Sequence, residues 1–145
     1  MKVVVQRVRE ARVEVDGVVV GAIGPGLLAL VCAEPADTPE TGARFLSKLL
    51  KLRIFSDAEG KMNRSLVDVQ GGLLLVSQFT LAADCSGGNR PSFSSAAPPA
   101  QARELYEDLL RQARALHPQV ASGVFAADMQ VHLVNDGPVT IPMQF

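Results

Sequence analysis

The spacing of hydrophobic and polar positions changes period several times along the chain, and each change predicts an element. Val3–Val8 reads as a strand. Val13 and Val15 alternate with Arg12, Glu14 and Asp16, the two-residue period of a half-buried strand. Asp16-Gly17 is a tight-turn pair, so Val18–Ile23 is expected to return antiparallel and complete a hairpin. Beyond the break at Gly24-Pro25-Gly26, Leu27–Ala33 is continuously apolar, as in a strand buried on both faces. The period then becomes helical. Thr38 offers an N-cap, Pro39 the first helical position, and Glu40 a negative charge beside the positive end of the helix dipole. Ala43, Leu46, Leu49 and Leu50 share one face. Lys51 and Arg53 put cations where that helix should end.

In the second half, Arg53–Ser56 reads as a short strand and Asp57-Ala58-Glu59-Gly60 as a turn. Leu73–Leu81, behind Gly71-Gly72, is a second buried strand. Asp84–Pro99 is rich in Ser, Gly, Ala and Pro. A stretch of that length inside a compact domain reads as an ordered, functional loop. Ala102, Leu105, Tyr106, Leu109, Ala113 and Leu116 form the stripe of a second helix, which His117-Pro118 stops. Val120–Phe125 and Met129–Asn135 read as strands, and Val139–Pro142 as a short final one. Gly137-Pro138 interrupts the last pair. Proline has no N–H for a central ladder, and an X-Pro bond reaches cis at roughly 0.5–1 kcal/mol. Two readings stay open there: a hairpin turn between the strands, or a cis turn that points two carbonyls into a pocket. The predicted fold is α+β, a mainly antiparallel sheet or partly closed barrel with two helices, as a single domain over residues 1–145.

Composition narrows the function classes. A chain of 145 residues, 48% hydrophobic, suits one domain with a sizeable core. Its net charge of −1 supplies no field that would draw it onto long nucleic acid, although a nucleic-acid end, with few phosphates, stays open as a ligand. Cys32 lies in an apolar run and Cys85 in the loop, so both are expected as free thiols in a reducing compartment. Charge interrupts the first residues too soon for a signal peptide, and no apolar stretch approaches the ~20 residues that span a bilayer. A cytoplasmic protein with no membrane partner is the expectation. No metal or cofactor is expected either. Neither His117 nor His132 has a Cys or acid at ligand spacing, and His132, between Val131 and Leu133, reads as structural. No phosphate loop or dinucleotide glycine pattern occurs, and no nucleophile elbow.

What remains is polar chemistry at the end of a buried strand, Ser77-Gln78-Phe79-Thr80-Leu81. As a strand it would turn Ser77, Phe79 and Leu81 one way and Gln78 and Thr80 the other. These groups either bond to neighbouring loops or hold a carbonyl or a ribose. A Thr80 nucleophile would need an activating base, and none is near in sequence, which disfavours covalent catalysis. In Asn89-Arg90-Pro91-Ser92-Phe93, Arg90 can meet a phosphate or an acid, and Phe93 can stack on a base or pin the loop. Lys48, Lys51, Arg53, Lys61 and Arg64 form the densest basic stretch, either a solvated face or a track for a short single strand.

Together these segments resemble the D-aminoacyl-tRNA deacylase (D-tyrosyl-tRNA deacylase) family. The likeness rests on Ser77-Gln78-Phe79-Thr80-Leu81, Asn89-Arg90-Pro91-Ser92-Phe93 and Asn135-Asp136-Gly137-Pro138-Val139-Thr140, with Leu52-Arg53-Ile54-Phe55 and Gly60-Lys61-Met62-Asn63. It covers essentially the whole chain in order. The resemblance implies a homodimer in which Gly137-Pro138, as a Gly-cis-Pro, acts in the partner's site. It implies hydrolysis of the ester joining a D-amino acid to the tRNA 3′ end, releasing amino acid and tRNA, a chiral proofreading step in translation. The substrate's own 2′-hydroxyl would assist water, and side chains would mainly position the ester, which contributes roughly 7–11 kcal/mol. Ser77, Gln78, Phe79 and Thr80 are then the catalytic lining, with backbone N–H groups near Phe79 and Thr80 for the oxyanion. Gly137, Pro138, Val139, Thr140, Asn89 and Arg90 are the substrate-binding set. Glycine, lacking a side chain, should pass a filter built on steric rejection of L side chains.

Three positions depart from the pattern. Gly87 stands where a lysine is usual, which removes a phosphate contact; Ala126-Ala127 stand where Gly-Ala is common, the extra methyl either narrowing the pocket or filling the core; and Cys32 stands where glycine is common, without expected consequence. Two other functions compete: a non-catalytic DNA- or RNA-binding accessory protein, and a small hydrolase or deaminase of metabolites that works without RNA.

Overall fold

In the computed structural model, which describes residues 1–145, β1 (Lys2–Val15) and β2 (Val18–Ile23) form the expected hairpin. Asp16 and Gly17 both have positive φ, 51° and 77°, as a two-residue turn of this hand requires. The N-terminal half of β1 pairs antiparallel with β3 (Gly26–Cys32), from Lys2↔Cys32 to Val8↔Gly26. β6 (Gly72–Ser77) lies parallel to β3, and β7 (Val120–Ser122) parallel to β6. Parallel neighbours need crossovers. The first contains α1 (Pro39–Lys51), a small hairpin of β4 (Phe55–Ser56) and β5 (Met62–Arg64), and the single-turn α2 (Leu66–Val69). The second contains α3 (Pro99–Leu116). The other edge of β1 carries β8 (Gln130–Gln144). The sheet is therefore mainly antiparallel with a parallel trio, in the order β2-β1-β3-β6-β7. It nearly closes on itself: a Cβ added at Gly21 of β2 would fall 2.3 Å from the Ser122 carbonyl oxygen of β7.

β3 and β6 are buried on both faces, as their unbroken apolar runs imply. Leu27, Ala29, Val31, Leu73 and Leu75 face α1 and α3, meeting Phe45, Leu46, Leu49, Tyr106 and Leu109. Leu28, Leu74 and Val76 face the barrel interior with Val8, Ala11 and Val13. On α1 the buried stripe runs through Thr41 and Phe45 while Ala43 is exposed, because the longer Phe45 reaches the core from the adjacent phase. On α3, Leu110 is buried and Leu116 is 58% exposed. Cys32 is buried and Cys85 exposed, and both are free. No helix is long and apolar enough to cross a membrane.

Two expectations at the strand ends change. The chain leaves β6 at Ser77, and Phe79–Ala82 form a 3-10 turn, so the alternating orientation expected through Leu81 does not hold. Nor is there a hairpin at Gly137-Pro138. β8 passes through this segment and stays on β1 on both sides of it, with Thr140 opposite Gln6 and Asn135 opposite Val8. β8 uses five steps where β1 uses two, so three residues are looped out of the ladder. The Gly137-Pro138 bond in this excursion is cis. Val120–Phe125 likewise shortens to β7, which frees Phe125 for the site described next.

Candidate active site

Where β6 ends, a cavity of about 580 Å³ opens between the strand ends, α3 and the segment 125–129. Ser77, Gln78 and Phe79 line one side. Gln78 donates its backbone N–H to the Val31 carbonyl at 2.7 Å, the last rung of the parallel β3–β6 ladder, and its own carbonyl accepts the Leu81 N–H at 3.2 Å as the chain leaves the sheet. Its amide Nε2 donates to Thr80 Oγ1 at 2.5 Å. Phe79 and Thr80 begin the 3-10 turn, where N–H groups have no acceptor within the turn itself. Phe79 is 59% exposed and meets Phe93 edge to face, with centroids 5.1 Å apart, so Phe93 lines the cavity and ties its loop to the 3-10 turn. That loop is closed at its base by paired backbone hydrogen bonds between Asp84 and Ser92. Asn89 and Arg90 sit exposed at its tip and do not line the cavity.

The opposite wall comes from α3 and from Phe125, Ala126 and Ala127. Ala126 adopts φ +63°, a left-handed conformation that an alanine enters at a cost, and its methyl faces the same cavity. The Arg103 guanidinium lies 4.7 Å above the Phe125 ring. Tyr106 donates its hydroxyl to the Leu75 carbonyl at 2.8 Å. Burial pushes the Tyr106 hydroxyl up to about 12, with a smaller opposing pull from Arg114. The stabilisation tied to this neutral phenol is complete below pH 10 and is lost as pH rises through about 12. Stability is therefore expected to fall by about 2–3 kcal/mol across that window. Tyr106→Phe should flatten that part of the curve, as read by denaturant unfolding at a series of pH values.

The titratable side chains in the lining are Cys32, Tyr106 and Asp128. Burial, reinforced by the Glu34 charge, pushes the Cys32 thiol up. Its Sγ donates to the Phe79 carbonyl at 3.6 Å, so it supports the 3-10 turn. Neither histidine is in the cavity. His117 is buried and pairs its Nε2 with the Gly71 carbonyl at 2.6 Å, and His132 stands 3.3 Å from Glu14 on the sheet. The Arg12 hydrogen bond holds the Glu14 carboxyl below the usual range, with a smaller pull from His132. Ser77 thus has no histidine beside it, and Thr80 is exposed outside the lining.

The Gly137-Pro138 excursion is built elsewhere. Arg7 donates Nε to the Asp136 carbonyl at 2.8 Å and Nη1 to the Ile54 carbonyl at 2.6 Å. Asn135 Oδ1 accepts the Val139 N–H at 2.7 Å, and Asn135 Nδ2 donates to Thr140 Oγ1 at 2.9 Å. Gly137 and Pro138 themselves are exposed. None of Gly137, Pro138, Val139 or Thr140 lines the cavity of its own chain. The register explains why. The excursion faces Arg7, whereas Ser77 aligns through Val31 with Val3, four residues or about 13 Å away along β1.

Sequence reasoning did not single out Arg7, Phe125 or Asp128, whereas the Ala126 methyl, read as either narrowing the pocket or filling the core, stands in the cavity lining. Arg7 carried a signal: it follows Val3 and Val5 in the inward phase of β1, and a cation in a core phase needs buried acceptors.

Residues 4–144 match the family model described as D-Tyr-tRNA(Tyr) deacylase. Curated proteins named D-aminoacyl-tRNA deacylase from Aromatoleum aromaticum and Acidovorax ebreus are 69% and 67% identical over 144 residues. These matches cover 99% and 96% of this chain and 95% and 94% of the relatives. A solved structure described as c-Myc DNA Unwinding Element Binding Protein superposes with a TM-score of 0.93 at 42% identity, covering 100% of this chain and 99% of that one. Another, described as a probable eukaryotic D-amino acid tRNA deacylase, superposes with a TM-score of 0.84 at 18% identity, covering 98% of this chain and 97% of its own, and supports the fold alone.

Proposed function

From the premise that this chain belongs to the D-Tyr-tRNA(Tyr) deacylase family and is a D-aminoacyl-tRNA deacylase, a hydrolase, we propose that two copies build each site. The cavity beside Ser77–Thr80 receives the esterified 3′ end of the tRNA. The Gly137-Pro138 loop of the partner subunit closes over the substrate's α-amino group and checks its chirality. The observation that carries this reading is the loop's position. It is exposed and braced, yet about 13 Å along β1 from its own cavity, so a second copy is needed to bring the two together. β8 leaves its outer edge unpaired along 15 residues, an edge that a second copy would cover.

The chemistry is addition of water to the ester carbonyl, collapse of the tetrahedral oxyanion, and departure of the ribose oxygen, which yields free amino acid and tRNA. The N–H groups opening the 3-10 turn at Phe79 and Thr80 are candidates to meet the oxyanion. The substrate's 2′-hydroxyl assists the water, which fits a cavity without a histidine. Arg90 and Asn89, at their exposed loop tip, are available to the RNA end. Acting on aminoacyl-tRNA, the protein works in the cytoplasm as a proofreading enzyme of translation.

Thr80 hydrogen-bonds with Gln78 and has no base, so it serves as a positioning group. Thr80→Ala should slow turnover by about fivefold, the value of one hydrogen bond near 1 kcal/mol. Complete loss in a folded variant would restore a nucleophile. With the amino group and ester fixed, a pocket wall rejects an L side chain, and glycine has none to reject. Gly-tRNA should therefore be hydrolysed by the same site, and an inert Gly-tRNA beside rapid turnover of D-Tyr-tRNA would contradict steric selection. The 42% identity to a protein described as binding a DNA unwinding element favours DNA binding as the second reading. It predicts tight, steeply salt-dependent duplex affinity, which a net charge of −1 disfavours.

A further inference from the structure

Arg44, Lys48 and Lys51 follow one another at i, i+4 and i+7 on the solvent face of α1, opposite the buried Phe45, Leu46 and Leu49. With Ser47, Leu52 and Arg53 they line a groove of about 530 Å³ that contains no acidic residue. None of these four cations takes part in a salt bridge, although seven of the eight ion pairs in the chain recruit a cation elsewhere on the surface or at the N-terminus and the eighth a histidine. Arg53 is oriented by Asn63, to whose carbonyl oxygen its Nε donates at 3.2 Å. The neighbouring acid Asp68 is committed to the Ser65 backbone and hydroxyl, which hold its carboxyl down, with only smaller pulls from Arg64 and Arg53. In a chain of net charge −1, this concentration of unpaired cations is a local anion-binding surface.

The groove also has a definite position. Its last residue, Arg53, precedes Ile54, and the Ile54 carbonyl accepts from the same Arg7 guanidinium that holds Asp136 beside Gly137-Pro138. Groove and loop are therefore tied together through one guanidinium, and neither contributes a residue to the cavity lining of its own chain. Arg44 to Lys51 spans about 10 Å of helix, long enough to face several successive phosphates of one strand. We propose that this groove holds the phosphate backbone of the base-paired stem next to the tRNA 3′ end, for the tRNA whose ester lies in the partner subunit's cavity. The assignment rests on the two-copy reading above and extends it: the subunit that lends the loop also grips the RNA.

The test measures binding of deacylated tRNA against salt, which needs no turnover and so stays readable even if the catalytic reading fails. Lys48→Gln/Lys51→Gln is compared with Arg111→Gln/Arg114→Gln on α3, which removes the same charge from another exposed helix face. The groove variant should lower the slope of log affinity against log salt by about 1.5, and the α3 variant should leave it unchanged. Equal slopes in both variants, or no change in the groove variant, would overturn the proposal. A heterodimer then tests the assignment across subunits, with Gly137→Ala on one subunit and Lys48→Gln/Lys51→Gln on the other. Turnover at limiting tRNA should be half that of the groove variant, because no site has both an intact loop and an intact groove. Recovery to half of wild-type turnover would mean that the groove serves its own cavity.

Discussion

Gly137→Ala is expected to lower kcat/KM for D-Tyr-tRNA about 100-fold while the chain stays folded, because a displacement near 1 Å at a positioning group costs on that order. Gly137 has φ +140°, a conformation that side-chain-bearing residues rarely adopt. An added Cβ would lie 2.9 Å from Val139 Cγ2 and 3.0 Å from Arg7 Nη2. Both neighbours must yield, and Arg7 is the group that holds the loop. The site is an exposed excursion rather than core, so the cost in stability is local, on the order of 1–3 kcal/mol. Gly60→Ala is the control. Gly60 also has a positive φ, 79°, but open space around its Cβ direction, and it sits in the turn between β4 and β5. It should lose stability by a similar mechanism and keep its activity. Equal kinetic losses in the two variants would show that strain alone, not loop position, sets the rate.

Arg7→Gln has the second large effect, and it reaches both stability and rate. One guanidinium satisfies two backbone carbonyls, at Ile54 and Asp136, on segments far apart in sequence. Hydrogen bonds to charged groups contribute about 1.5–3 kcal/mol each. A loss of about 3 kcal/mol is therefore expected, which lowers Tm by roughly 6–12 °C for a chain of this size. The loop loses its brace at the same time, so D-ester hydrolysis should fall with it. Arg7→Lys keeps the charge but not the planar fork, and should fall between the two. If Arg7→Gln melted at the wild-type temperature with unchanged kinetics, the bridge would be incidental.

Much of this fold can be read before any coordinates. Asp16-Gly17, the unbroken runs of β3 and β6, and Thr38-Pro39 ahead of α1 each combine a local preference with a matching periodicity. The errors arise where distant partners override local signals. Of the two readings at Gly137-Pro138, the hairpin fails because β1 is long enough to pair with β8 on both sides of it, while the cis bond of the other is present. Ser77-Gln78-Phe79-Thr80 continues an apolar run, but the ladder to β3 ends with the Gln78 N–H on the Val31 carbonyl, and the next bond, Leu81 N–H to the Gln78 carbonyl, closes a 3-10 turn instead. Of the candidate site residues, Ser77, Gln78 and Phe79 do meet at one cavity. Ala126 was legible as a methyl at the pocket or in the core, but the far wall at Phe125 was hidden because it depends on how α3 lies across the sheet. Arg7 was legible in principle, as a cation in an inward phase, but its acceptors lie about 50 and 130 residues away in sequence and only the fold identifies them.

The most direct measurement is deacylation of matched D-Tyr-tRNA and L-Tyr-tRNA by the purified protein, with Gly137→Ala alongside. Rapid loss of the D ester, a spared L ester and collapse of the D rate in the variant are the predicted results. Equal hydrolysis of both enantiomers by the wild-type protein, or a variant as fast and selective as wild type, would contradict chiral selection by the loop.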